Sequence, residues 1–167
     1  MKIQTLRTLA LQAVAIIRPT VDNIIAQGIT EGRSTAWITV AVRWRHAGFG
    51  KEDFKKDIVL SVQLCGETDR KKWKHDFRAT AESKAFIMWR TGKDGHVVHT
   101  DMPTVMETGD TPWHGGCVLG ELVIATSGFQ EFVDCLVSRL VGTMLNTLAQ
   151  AKIEATRKAN LDTMADI

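Results

Sequence analysis

The chain has few cysteines, the residues that form the disulfide bonds of small secreted folds and the ligands of thiolate metal sites. It has no tyrosine and only three cysteines and three prolines in 167 residues. Cys65, Cys117 and Cys135 are an odd number without a C-x-x-C pair, so neither a disulfide framework nor a thiolate zinc site is indicated. A reducing compartment fits this cysteine usage, and we expect a cytoplasmic protein.

The chain also has no large excess of positive or negative charge, since its formal net charge is only +2. Basic residues cluster at 51 to 56 and at 70 to 74, but Glu52, Asp53 and Asp69 lie within or beside these clusters. Such mixed clusters are typical of a solvated face rather than of a track for phosphates. We therefore expect no nucleic-acid partner.

Long apolar runs are absent, because none approaches the roughly 20 residues that span a bilayer. We expect no membrane association. Lys2 and Arg7 precede an apolar stretch that ends at residues 13 to 15, which has the outline of a secretory signal. Apolar residues at helical spacing from Leu6 to Gly28 continue through that cleavage point, which favours a folded helix. Whether the segment is a cleaved signal stays open.

Common catalytic motifs are missing as well. No G-x-x-x-x-G-K-[ST], G-x-G-x-x-G or H-E-x-x-H occurs, so P-loop, dinucleotide and zinc-protease mechanisms have no support. Ser127 and Cys117 are the placed nucleophile candidates, yet neither has a G-x-S-x-G frame or a base beside it. We predict instead that Ser127 caps the helix that follows it. These absences favour a protein that is not an enzyme.

What is present is the pattern of one α+β domain. A hydrophobic share of 44% and a charged share of 24% are ordinary for a globular domain, which we place at residues 1 to 167. In the first half, periodicity predicts a helix at 5–28 that Pro19 kinks or divides, strands at 35–46 and 57–65, and a helix at 69–90. In the second half it predicts a short strand at 97–100, a loop at 101–113 and a strand at 118–126 with a turn at Gly120-Glu121. A helix at 130–158 and a frayed tail at 160–167 complete the chain. This order predicts a small antiparallel β-sheet flanked by helices, with a long C-terminal helix.

The middle helix and the first two strands carry the clearest local signals. The strands at 35–46 and 57–65 alternate apolar and polar residues, which predicts a half-buried antiparallel hairpin with a long polar connection. Asp69 is the expected N-cap of the middle helix and Gly92 its left-handed end. Its packing positions recur at three- and four-residue steps and are Trp73, Phe77, Ala81, Lys84, Ala85 and Met88.

Several side chains that can bind a metal or haem lie close together in the sequence, namely His96, His99, Asp101, His114 and Cys117. On a strand, His99 and Asp101 point to the same side, which makes them the most coherent pair. Gly115-Gly116 separates His114 from Cys117 and would let the backbone approach a flat ligand. The alternatives are a solvated loop for the first pair and, for the second, a tight turn with Cys117 as a small core residue.

Three sequence features resemble the haem-degrading-domain family, whose members include haem-binding sensor and corrinoid-accessory domains. They are Lys84-Ala85 on the middle helix, Gly115-Gly116 before the hairpin with Gly120-Glu121, and Ser127-Gly128 before the last helix. The acidic residue expected after the Ser-Gly is Glu131 or Asp134, and the family's usual Asp-Gly-Gly turn in the first hairpin is replaced by the longer connection at 46 to 57. The resemblance implies a small-ligand-binding module, with haem or another tetrapyrrole as the cofactor near His114 and Cys117.

A second hypothesis is an oligomeric structural or assembly protein without small-molecule chemistry. Trp37 and Trp44 alternate on the first strand, so one of them should face away from a core that covers one side only. The last helix carries an apolar stripe of Phe132, Leu136, Leu140, Met144 and Leu148. Both features predict a homo-oligomer. An enzyme acting through His99 and Asp101 is a third, weaker hypothesis.

Overall fold

The computed structural model describes residues 1–43 and 50–159. Within these residues, the helices are α1 (Ile3–Ala26), α2 (Lys51–Asp57), α3 (Phe77–Thr91), α4 (Gly95–Asp101) and α5 (Glu131–Lys158). The strands are β1 (Ala36–Val42), β2 (Ile58–Cys65), β3 (Gly116–Leu119) and β4 (Leu122–Ser127). There are also 3₁₀ turns at Arg70–Lys72 and Pro103–Val105. The predicted α+β class and the long C-terminal helix are confirmed. Trp44 and the tail from residue 160 lie outside the described residues.

The four strands form one antiparallel sheet in the order β2-β1-β4-β3. β1 and β2 pair as the predicted hairpin, and β3 and β4 pair around the predicted turn at Gly120. In the centre of the sheet, Val40 lies between Leu60 of β2 and Ile124 of β4. The two hairpins are thus joined side by side through their inner strands β1 and β4.

Helices cover both faces of this sheet. α1 and α5 pack together on one face, where their apolar residues join Ile38, Val40 and Ile124 in the larger core. α3 packs on the other face, where Phe86 and Trp89 join Ala41 in a smaller core. Every residue of β1 is therefore buried. The prediction of a half-buried β1 is wrong, because period-two alternation here separates two covered faces rather than core from solvent.

Several predicted boundaries are also wrong. The helix predicted from residue 69 begins at Phe77, where the Asp76 side chain accepts a hydrogen bond from Ala79 N. Asp69 instead caps the 3₁₀ turn, accepting from Lys71 N. The two stretches have separate caps, so a continuous helical pattern in the sequence becomes two elements. The end of α3 is as predicted, since Gly92 is left-handed at φ 70°.

Residues 97 to 100, predicted as a strand, belong to helix α4. A run of four residues does not distinguish a strand from a helical turn by periodicity. Here Val98 is fully buried, α4 packs against α3, and β3 pairs only with β4 within the described residues. Residues 51 to 57, predicted as part of a polar connection and the start of a strand, form the short helix α2.

Pro19 does not divide the first helix, because α1 continues from Ile3 to Ala26. Pro19 is exposed, so the missing backbone hydrogen bond falls on the solvent side. By length and composition α1 and α5 could each cross a membrane, but core helices and signal sequences pass the same test. In this fold the two helices pack against each other and the sheet.

Candidate ligand-binding groove

A groove of about 800 Å³ opens where four parts of the chain meet. Residues 32–35 precede β1, residues 67–84 lead from the end of β2 into α3, Trp113 lies before β3, and residues 127–134 lead from the end of β4 into α5. Small-molecule sites span roughly 300 to 1,000 Å³, so the groove is large enough for one ligand. A second depression, of about 590 Å³, has no aromatic side chain among the described residues of its lining.

The floor of the groove holds a buried ion pair between α3 and α5. Lys84 Nζ lies 2.9 Å from Asp134 Oδ2, and the two side chains are 4% and 1% exposed. Lys84 also donates to the Thr126 carbonyl at 3.1 Å, while Asp134 Oδ1 accepts from Phe129 N at 3.1 Å. The pair thus connects α3, the end of β4 and the turn that leads into α5.

Burial raises the pKa of the Asp134 carboxyl from 3.8 to about 7, although the positive charge of Lys84 and their hydrogen bond act in the opposite direction. A carboxyl removed from water loses the solvation of its charged form, which a single ammonium partner only partly replaces. The carboxyl therefore titrates near neutral pH rather than in acid.

The Gly115-Gly116 turn packs directly against this pair. Gly115 has φ +143°, and a Cβ placed on it would lie 2.6 Å from Asp134 Cβ and 2.8 Å from Lys84 Nζ. Both distances are far below van der Waals contact, so only glycine fits. Lys84, Gly115 and Asp134, which are distant in sequence, converge at one point.

Aromatic side chains line the groove above the floor. They are Trp73, His75, Phe77, Trp113 and Phe129. Trp73 is fixed by its indole N–H, which donates to the Glu67 carbonyl at 2.7 Å, and its ring lies 5.5 Å from the ring of Phe77. Trp113 is 61% exposed, so it presents a large apolar surface at the groove.

Basic side chains accompany the aromatic ones. Arg33, Lys72 and Lys74 line the groove, and Lys72 lies 3.5 Å from Glu67 in an exposed pair. Arg33 donates to the Phe129 carbonyl at 2.8 Å, which holds its guanidinium beside the turn that leads into α5. A planar apolar surface bordered by cations can bind a flat ligand that carries acidic groups.

The predicted histidine ligands lie beside this groove rather than in its lining. His114 Nε2 is 3.1 Å from Glu131 Oε2, and His114 N donates to Glu131 Oε1 at 3.1 Å. The His99 ring lies 5.8 Å from the His114 ring. Burial, and then the neighbouring His114, lower the pKa of His99. Glu131, which lines the groove, connects it to these two histidines.

Asp101 and Cys117 lie apart from the histidine pair. On helix α4, His99 and Asp101 are two positions apart and point in different directions, so the expectation of a shared face is wrong. Asp101 is exposed at the end of α4. Cys117 is completely buried in the larger core, where burial raises the pKa of its thiol to about 12. It has the small-core-residue environment that was the alternative prediction.

Ser127 does not have the predicted capping role. It is the last residue of β4 and is buried, whereas α5 is preceded by Gln130, which makes no capping hydrogen bond with its side chain. Ser127 lines the groove. Among residues 1–43 and 50–159, no three His, Cys, Asp or Glu side chains are placed to hold one metal ion.

The sequence did not identify Lys84, Asp134 or His75 as site residues. A signal for Lys84 existed, because a lysine among the apolar positions of an amphipathic helix faces the core and needs a buried partner. No comparable signal marked His75, which lies in the irregular stretch between two helical segments.

Comparison of the chain with family profiles, with curated proteins and with solved structures gives no significant match.

Proposed function

We propose that the protein is a small-ligand-binding module whose groove takes a planar, acidic ring compound of the haem or tetrapyrrole class. The observation that carries this proposal is a groove of about 800 Å³ with aromatic walls and the basic residues Arg33, Lys72 and Lys74. Aromatic walls stack on a flat ring, and the basic side chains pair with carboxylate substituents. The ion pair at the floor joins α3 to the end of β4 and to the turn that leads into α5.

The residues of the groove fit a haem in three respects. The volume is sufficient, the walls are apolar and aromatic, and an imidazole is available from His75 in the lining. Trp73 and Phe77 would hold the ring, and Arg33 and Lys74 its acidic substituents. When bound, such a group would supply an iron that a protein imidazole can coordinate. The residue predictions at His114 and Cys117 fit less well, since neither side chain lines the groove.

Titration with hemin tests this proposal. We expect a saturable Soret shift in the wild-type protein and a weaker affinity in Trp73→Ala, because the stacking surface is lost. Stacking on an aromatic side chain is worth about 1–3 kcal/mol for nucleic-acid bases, which corresponds to roughly fivefold or more in affinity. Ile16→Ala is the matched control, since Ile16 is apolar and 48% exposed but does not line the groove. The absence of a saturable shift in the wild type contradicts the proposal.

A second candidate function is assembly of identical subunits through α5. The buried face of α5 carries Val133, Val137, Val141 and Leu145, one position beyond the predicted stripe. Phe132 and Leu136 are therefore exposed, at 63% and 46%. They lie one helical turn apart, so they form one apolar surface. We propose that a second copy of the chain covers this surface, because an isologous contact through one helix face buries both residues on each subunit.

Native mass spectrometry at micromolar concentration tests this assembly. We expect a multimer in the wild type and a monomer in the double variant Phe132→Ser/Leu136→Ser. Leu11→Ser is a matched control, because Leu11 is an exposed leucine on α1. A wild-type protein that is strictly monomeric, or a multimer that the double variant leaves unchanged, contradicts assembly through α5.

A further inference from the structure

Of the histidines that the structure describes, His75 lines the groove. It is exposed and lies in the irregular stretch between the 3₁₀ turn and α3, with Trp73 and Phe77 on either side in the sequence. Its ring centroid is 6.4 Å from that of Phe77 in an edge arrangement. Across the described chain, neither nitrogen of this imidazole has a hydrogen-bond or ion-pair partner. Both are available to a ligand.

The two predicted histidine ligands do not line the groove. Nε2 of His114 faces the Glu131 carboxylate at 3.1 Å, and its Nδ1 is buried without a hydrogen-bond partner. The His99 ring lies 5.8 Å from the His114 ring. Cys117 does not line the groove either. Among the described residues, the imidazole in the lining is therefore that of His75.

We propose that His75 coordinates the metal of the groove's ligand, so that the ligand is a metal-bearing planar ring rather than a plain aromatic acid. This proposal rests on the proposed function. Neutral imidazole nitrogen is a ligand suited to iron, copper and zinc, whereas the aromatic walls interact with any flat ring. His75 thus selects for the metal, while Trp73 and Phe77 hold the ring.

The basic residues of the groove agree with this placement. Lys74 is next to His75 in the sequence, and Arg33 is held beside Phe129 by its hydrogen bond to the Phe129 carbonyl. Both cations line the same groove as His75, so they could pair with the acidic substituents of a ring bound there.

Two probes that differ only in the metal separate coordination from packing. Hemin and metal-free protoporphyrin IX have the same ring and the same two acidic substituents. For His75→Ala we expect the affinity for hemin to fall by roughly tenfold or more, since even residues that only support a metal ligand contribute 10- to 100-fold. The affinity for protoporphyrin IX should stay within about twofold. The Soret position and the spin state of the hemin complex should change as well.

His96→Ala is the matched control, because His96 is also exposed and does not line the groove. It should leave both affinities and the hemin spectrum unchanged. Unchanged hemin binding in His75→Ala overturns the assignment of His75. An equal loss for both probes also overturns it, since His75 would then contribute only packing. If the wild type binds neither probe, the proposed function itself fails, which is a different result.

Discussion

Lys84 is a charged residue at a position where the helix pattern calls for an apolar one, and the structure shows what accompanies it. Its amine is 4% exposed and meets Asp134, which is 1% exposed. Taking two charges out of water costs several kcal/mol per ion, and their attraction offsets this cost only when the geometry and the other hydrogen bonds are good. The carbonyl of Thr126 and the amide of Phe129 supply those bonds. Each member of the pair therefore depends on the other, because removing one leaves its partner buried without a counter-charge.

Removing Lys84 alone should destabilise the protein strongly. We expect Lys84→Met to lower the free energy of unfolding by about 3–5 kcal/mol, because the Asp134 carboxyl is left buried without its cation. The double variant Lys84→Met/Asp134→Asn should recover a large part of this loss, since the amide is neutral and its oxygen still accepts from Phe129 N. Urea denaturation of the wild type, both single variants and the double variant measures the coupling. Additive effects of the two substitutions would show that the pair is not coupled.

The glycine beside this pair offers a comparison between two left-handed positions. Gly115→Ala places a Cβ 2.6 Å from Asp134 Cβ, whereas a Cβ on Gly120, at φ +62°, meets nothing within 4 Å. Gly120→Ala should cost about 1 kcal/mol through backbone strain alone. Gly115→Ala should cost about 1–3 kcal/mol more, which is typical of overpacking. Equal unfolding midpoints for the two variants would contradict the contact at Gly115.

At the level of secondary-structure elements, the sequence predicted the features that depend on the local periodicity of apolar residues and on the placement of glycines. The two hairpins, α1, α5 and the left-handed end of α3 at Gly92 follow from periodicity and glycine placement. Residues 97 to 100 do not, because α4 packs against α3, and that packing is not encoded in four residues. The burial of Trp37 likewise depends on helices that cover both faces. The groove was missed for the same reason, since its lining comes from segments far apart in the chain.

Two side chains of α3 hold the segment between α4 and β3. Arg90 Nη2 donates to the Val105 carbonyl and to Asp110 Oδ2, each at 2.9 Å, and Ser83 Oγ accepts from Thr111 N at 3.1 Å. Arg90→Met keeps most of the apolar stem but removes the two Arg90 bonds. We expect faster hydrogen exchange at residues 103 to 112, because the segment loses its attachment to Arg90.

Arg78→Met is the control for this experiment. Arg78 pairs with Glu82 on the exposed side of α3 at 2.8 Å and does not contact the segment through that pair. It should leave exchange at residues 103 to 112 unchanged. If Arg90→Met has no greater effect than Arg78→Met, other contacts hold the segment. Because Trp113 follows directly, Arg90→Met should also weaken binding in the groove.

At the scale of the whole molecule, the buried carboxyl should change how stability depends on pH. The pKa of Asp134 is raised from 3.8 to about 7, chiefly by burial, so between about pH 4 and pH 7 the folded protein holds a proton that the unfolded chain releases. The contribution of this group to stability is therefore greatest at the acid end of that window and falls as the pH rises towards 7.

Urea midpoints measured between pH 4.5 and pH 7.5 test this sign. The double variant Lys84→Met/Asp134→Asn has no titrating carboxyl at this position and serves as the reference. We expect the wild type to lose stability relative to the double variant as the pH increases. A gain by the wild type across the same window would mean that Lys84 dominates and that the folded pKa of Asp134 is depressed.

The convergence of four distant parts of the chain on one groove makes the binding site a property of the folded chain. Lys84 and Asp134 are 50 positions apart, and the remaining lining extends from residue 32 to residue 134. No fragment that ends before α5 can retain the site. A ligand that binds only the folded form adds RT ln(1 + [L]/Kd) to the free energy of unfolding, about 2.7 kcal/mol at a hundredfold excess over Kd. Hemin should therefore raise the melting temperature of the intact protein, so a thermal shift can report occupancy without any spectroscopic change at the iron.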